Sequence, residues 1–103
     1  MITEIVVLGR DNTVDLLLKT DGDAQPLDAV TRMVLIVGGV TVDSAVVPAA
    51  FDWHTGTTGK LVLDLGGVSS LTTGLKTATL YVYDPSNTDG IRWGSIKLNI
   101  ENN

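Results

Sequence analysis

Apolar residues recur at every second position in several short stretches of this chain, and turn-forming residues separate the stretches. A period of two sends alternate side chains to opposite faces of an extended strand. In residues 14–19, Val14, Leu16 and Leu18 share one face, Asp15 and Lys19 take the other, and Leu17 is the apolar exception outside. In residues 60–65, Leu61, Leu63 and Leu65 point inward, Lys60 and Asp64 outward, and Val62 is again apolar on the outer side. Residues 77–83 put Ala78, Leu80 and Val82 on the core face and stand Tyr81 and Tyr83 side by side on the other. Residues 3–8 supply a first strand, and no stretch carries a helical stripe long enough for a core helix.

Residues 30–37 are apolar on both faces apart from Thr31 and Arg32, which predicts a central strand or one covered from outside, with Val34 and Ile36 on a second buried surface. Gly38 and Gly39 suit a tight hairpin, residues 41–47 form its returning strand, and Pro48 stops it. Asp21, Gly22, Asp23 and Pro26 mark an earlier loop, and residues 68–74 a short loop or single helical turn. In the last strand Ile91 and Trp93 fall on odd positions while Ile96, Leu98 and Ile100 fall on even ones. An extra residue at Gly94 or Ser95, a β-bulge, returns both sets to one face and places Trp93 in the core. About seven strands at this spacing predict an all-β, immunoglobulin-like Greek-key sandwich occupying residues 1–103 as one domain.

With 44% hydrophobic and 18% charged residues the chain has the composition of a folded domain, and at 103 residues it buries about two-thirds of its unfolded surface. It has no cysteine, which excludes disulfides, thiolate metal sites and thiol nucleophiles. A net charge of −5 disfavours nucleic acid and anionic lipid as partners. The start of the chain lacks the basic, apolar and small-residue segments of a signal peptide, and the longest apolar run, residues 33–37, is about a quarter of a membrane span. The expectation is a soluble product made and kept in a cytoplasm unless released by lysis.

Chemistry-bearing groups are sparse. The single histidine, His54, has Asp52 before it and Thr55, Thr57 and Thr58 after it, but without a nucleophile elbow these residues read as turn formers and no enzyme is expected. The run from Asp84 through Pro85, Ser86, Asn87, Thr88 and Asp89 to Gly90, and the group Asp21, Asp23 and Asp28, are rich in the oxygen ligands that calcium prefers. Pro85 stands where an EF-hand needs its first carboxylate and no glutamate closes the loop, so an Asx-rich connection is expected and no metal or cofactor. Gly38, Gly39, Gly66 and Gly67 read as turns rather than a phosphate loop. Trp53, in the most irregular loop, could join Tyr81, Tyr83 and Trp93 in an aromatic platform for sugar or protein.

The run Asp11, Asn12, Thr13, Val14, Leu16, Leu18, then Asp21, Gly22, Pro26, Leu27, Asp28 and Val30, resembles the opening of the immunoglobulin-like domains of bacteriophage baseplate and tail proteins, among them the N-terminal domain of upper baseplate proteins. Gly59, Lys60, Leu61, Leu63, Leu71, Gly74 and Leu80 through Asp84 are similar to that family's closing strands. Leu75 and Thr77 follow Gly74 where antibody-type domains carry a tyrosine and a cysteine, so the tyrosine corner and the disulfide are absent.

The resemblance implies a non-enzymatic phage or prophage structural protein, located in the virion and assembling with other virion proteins and with copies of itself. Leu17, Val34, Ile36, Trp53, Val62, Tyr81 and Tyr83 are the residues expected to meet a partner. The alternative is a stand-alone carbohydrate-binding module that reads a host-surface glycan through Trp53 and the tyrosines.

Overall fold

The computed structural model describes residues 3–10, 13–20, 23–24, 27, 29–53, 59–68 and 70–102. The strands are β1 (Thr3–Leu8), β2 (Thr13–Leu17), β3 (Lys19–Thr20), β4 (Asp23–Ala24), β5 (Arg32–Val37), β6 (Val40–Asp43), β7 (Phe51–Asp52), β8 (Lys60–Asp64), β9 (Gly74–Asp84) and β10 (Asn87–Asn102). A five-stranded sheet runs β1-β10-β9-β5-β6, a three-stranded sheet runs β2-β8-β7, and β3 and β4 form a separate ribbon. Five connections change sheet, those after β1, β2, β4, β6 and β8, while β3–β4, β5–β6, β7–β8 and β9–β10 pair as antiparallel neighbours. The division of β2, β8 and β7 from β5, β9 and β10 is the immunoglobulin-like arrangement of two packed sheets.

The alternating residues build the core between these sheets. Met33, Leu35 and Val37 stand opposite Val82, Leu80 and Ala78. All six are buried, and they face Val14, Phe51, Leu61 and Leu63 of the smaller sheet in one apolar cluster. Removing a side chain such as Leu35 from water contributes about 1.5–3 kcal/mol. Leu27, Leu65, Val68 and Leu71 lie outside the strands and extend the same cluster.

Several boundaries differ from the sequence expectation, and each difference has a local cause. β6 ends at Asp43 rather than continuing to residue 47, because the Asp43 side chain accepts from the Ala45 amide at 2.9 Å and its carbonyl accepts from Val46 and Val47. These bonds draw the chain into a turn, and Pro48 opens a short 3-10 turn over Pro48–Ala50. Phe51 then leaves the irregular loop to pair with Leu63 and is buried. At the earlier loop, Leu18 donates to the Gly59 carbonyl at 2.8 Å, and the chain beyond it pairs as β3 and β4 instead of prolonging β2. Asp21, Gly22 and Pro26 lie outside the described residues.

The bulge in the last strand is present one residue earlier than expected. Arg92 pairs with Tyr81 and Gly94 with Leu80, which leaves Trp93 as the extra residue. The shift puts Ile91 opposite Val82 and Ile96 opposite Ala78, both on the core side, and Trp93 packs against the core. Gly38 and Gly39 have φ of 54° and 90°, the paired left-handed conformations of a two-residue hairpin.

Candidate functional site

The outer face of the five-stranded sheet gathers four of the seven residues expected to meet a partner: Val34, Ile36, Tyr81 and Tyr83. Register sets Arg32 beside Tyr83, Val34 beside Tyr81 and Ile36 beside Thr79, and β10 adds Arg92 opposite Tyr81 and Ser95 opposite Thr79. At one end these side chains lock together. Arg32 Nε donates to Asp43 Oδ1 at 2.9 Å, its Nη2 bonds Asp43 Oδ2, and the guanidinium carbon lies 4.9 Å from the Tyr83 ring centroid. A two-pronged charge-assisted contact with ring stacking holds an arginine in one orientation. The hydrogen bond from Arg32 holds the Asp43 carboxyl below the usual carboxylate range, and the same bond raises the guanidinium further above neutrality.

This cluster shields Val34, which is only 5% exposed although it points away from the core. The expectation that Val34 offers itself to another protein is therefore corrected: its neighbours on that face, Arg32, Asp43 and Tyr81, cover it within the chain. Ile36 is 36% exposed at the middle of the face.

Two residues not among those expected to meet a partner complete the surface. Ile5 of β1 and Leu75 of β9 both pair with Asn99 of β10, from either side, and are 55% and 65% exposed. The signal for Ile5 was available in the apolar neighbours Ile5, Val6 and Val7, of which only one face can enter the core. Between them and Ile36 the face carries Thr77, Thr79, Ser95 and Lys97, with Thr79 and Ser95 hydroxyls 3.2 Å apart and Lys97 donating to Thr77 at 3.0 Å.

The remaining expected contacts lie elsewhere. Leu17 and Val62 project from the three-stranded sheet, opposite Lys60 and Asp15 respectively. Trp53 packs against the core and meets the Phe51 ring edge-on at 6.5 Å. Trp53 follows β7 of the three-stranded sheet whereas the two tyrosines lie on β9 of the other, so the structure does not bring them into one aromatic platform.

The candidate chemistry resolves in the same way. His54, Thr55, Thr57 and Thr58 lie outside the described residues. The stretch 84–90 is a tight hairpin rather than a loop: Asp84 pairs with Asn87, and Asp84 Oδ1 accepts from the Ser86 amide at 2.9 Å and Asn87 Nδ2 at 3.0 Å. Among the described residues no three carboxylate or imidazole groups gather to hold a metal ion. Asp21 and Asp28 fall outside those residues, as does the side chain of Asp23.

A cleft of about 190 Å³ opens between the sheets where β2 ends. Leu35 and Leu80 form its floor, residues 16–18 one wall, and Trp93, Gly94 and Ile96 the other.

Fold and surface together define an immunoglobulin-like sandwich presenting a broad sheet face with separated apolar side chains. Comparison of the chain with protein-family models, curated proteins and solved structures found no match.

Proposed function

We propose that this chain is a non-enzymatic structural protein of a phage or prophage particle, assembling through protein–protein contacts in a tail, baseplate or related part. The observation that carries the reading is the five-stranded face, where Ile5, Ile36 and Leu75 stay exposed among short hydroxyl side chains. Exposed large aliphatic groups gain by burial against a neighbour, and threonine and serine cost little side-chain entropy when covered. The sequence resemblance to phage immunoglobulin-like domains supplies the setting. The separation of Trp53 from Tyr81 and Tyr83 weighs against the glycan-binding alternative.

The test is quantitative mass spectrometry of particles purified from a bacterium carrying the gene with its neighbours. The chain is expected at a fixed copy number per particle, with incorporation reduced at least tenfold by Ile5→Lys combined with Leu75→Lys. Absence from purified particles, or unchanged incorporation of the double variant, would overturn the reading.

A further inference from the structure

The most exposed aliphatic side chains of the five-stranded face share one row across it. Ile5, Asn99 and Leu75 stand side by side on β1, β10 and β9, with Ile5 55% and Leu75 65% exposed. Leu98 and Ile100 are buried, so the side chains of Lys97, Asn99 and Glu101 point outward in succession along β10. Thr3 and Thr77 flank Lys97 in the row on one side of Asn99, and Val7 flanks Glu101 in the row on the other. Among the described residues, Lys97 and Glu101 are thus the charged side chains of these three rows. They are opposite in sign and equally far from the apolar row.

We infer that this patch binds a second copy of the chain, face to face, about a two-fold axis that crosses the strands at Asn99. The inference rests on the reading that the chain works through protein contacts, and names the partner. A two-fold interface brings the same patch to both sides, so a residue one row above the axis meets the residue one row below it. Ile5 and Leu75 then meet their own counterparts in the second copy. Lys97 meets Glu101 of the second copy, and Glu101 meets the second copy's Lys97. An axis running along the strands would instead set Lys97 against Lys97 and Glu101 against Glu101, which like-charge repulsion opposes.

Charge order singles out the second copy as the occupant, because a surface that carries one charge of each sign on either side of an apolar row complements itself. Stacked sheets lie about 10 Å apart, a gap that a lysine and a glutamate reaching from opposite sides span. Lys97 donates to Thr77 Oγ1 at 3.0 Å. An ammonium carries three N–H donors, so the same group also meets a carboxylate. Asn99 lies on the axis, where its side-chain amide donates to and accepts from the same amide of the second copy. The other charges of this face stand outside the three rows: Arg32 is held by Asp43 within the chain, and Arg92 lies beyond Ser95, opposite Tyr81.

The test is sedimentation equilibrium of the full chain from micromolar to millimolar concentration, with circular dichroism verifying the fold of each variant. The wild-type chain is expected to dimerise. Lys97→Glu and Glu101→Lys should each weaken dimerisation at least tenfold, since either change sets like charges together on both sides of the axis. An equimolar mixture of the two variants should form heterodimers about as tightly as the wild type, because one chain then presents two carboxylates to two ammonium groups. Such rescue reports the contact itself, since mixing repairs neither chain. Lys97→Glu combined with Glu101→Lys in one chain should also dimerise like the wild type. A wild-type chain that stays monomeric at millimolar concentration overturns the proposal. A dimer that ignores both reversals, or folded variants that fail to associate on mixing, overturns the two-fold across Asn99. Association in solution and incorporation into particles are read separately, so either reading can fail while the other stands.

Discussion

A Cβ placed on Gly90 would lie 2.8 Å from the ring of Tyr83, on the strand paired with its own. The ring rests across bare backbone and receives the Arg32 guanidinium, so Gly90, Tyr83, Arg32 and Asp43 form one chain of contacts. Gly90 also has φ of 85°, which L side chains rarely adopt. Gly90→Ala therefore combines backbone strain with overpacking and should cost about 2–4 kcal/mol. Gly39→Ala at φ 90°, where a Cβ meets nothing within 4 Å, isolates the strain and should cost about 1–2 kcal/mol. Urea denaturation of both variants checks the difference.

The Arg32–Asp43 bond makes stability depend on acid. Because Asp43 is held below the usual carboxylate range when folded, its contribution is complete above the unfolded value and declines as pH falls through the folded one. The stability of the wild-type chain should be lost more steeply below about pH 4, the ordinary aspartate range, than that of Asp43→Asn. The variant should also be less stable at neutral pH. Urea midpoints measured from pH 7 to pH 2 give the comparison, and parallel curves would contradict it.

Core and cleft lip should respond differently to truncation of the same residue type. Leu35 is fully buried between Val42 and Leu80, and Leu35→Ala should cost about 2–5 kcal/mol through lost burial and a residual cavity. Leu17 is 54% exposed, so Leu17→Ala should change stability by no more than about 0.5 kcal/mol. Thermal melts distinguish the two directly.

The 84–87 turn should behave as a hairpin and not as a cation site. Asp84→Ala removes two acceptor contacts and should cost about 1–2 kcal/mol. Millimolar calcium should leave the melting temperature of the wild-type chain unchanged, since Asp84 Oδ1 already serves the turn. A calcium-dependent rise would assign the loop a different role.

Alternation along the strands determined the fold class, because a period of two allows one buried face per strand and Leu61, Leu63, Ala78, Leu80 and Val82 fill it without exception. The phase change before Ile96 likewise required a bulge, although the sequence placed it at Gly94 or Ser95 and the register leaves Trp93 as the extra residue. What lies outside the core was decided by tertiary contacts. Val34 and Ile36 occupy equivalent positions on β5, yet only Val34 is covered, because Arg32 and Asp43 meet above the strand from positions eleven apart. The row of Ile5, Asn99 and Leu75 arises from pairing among segments far apart in the chain. Periodicity fixes which way a side chain points, but strand order fixes its neighbours, and a surface is made of neighbours.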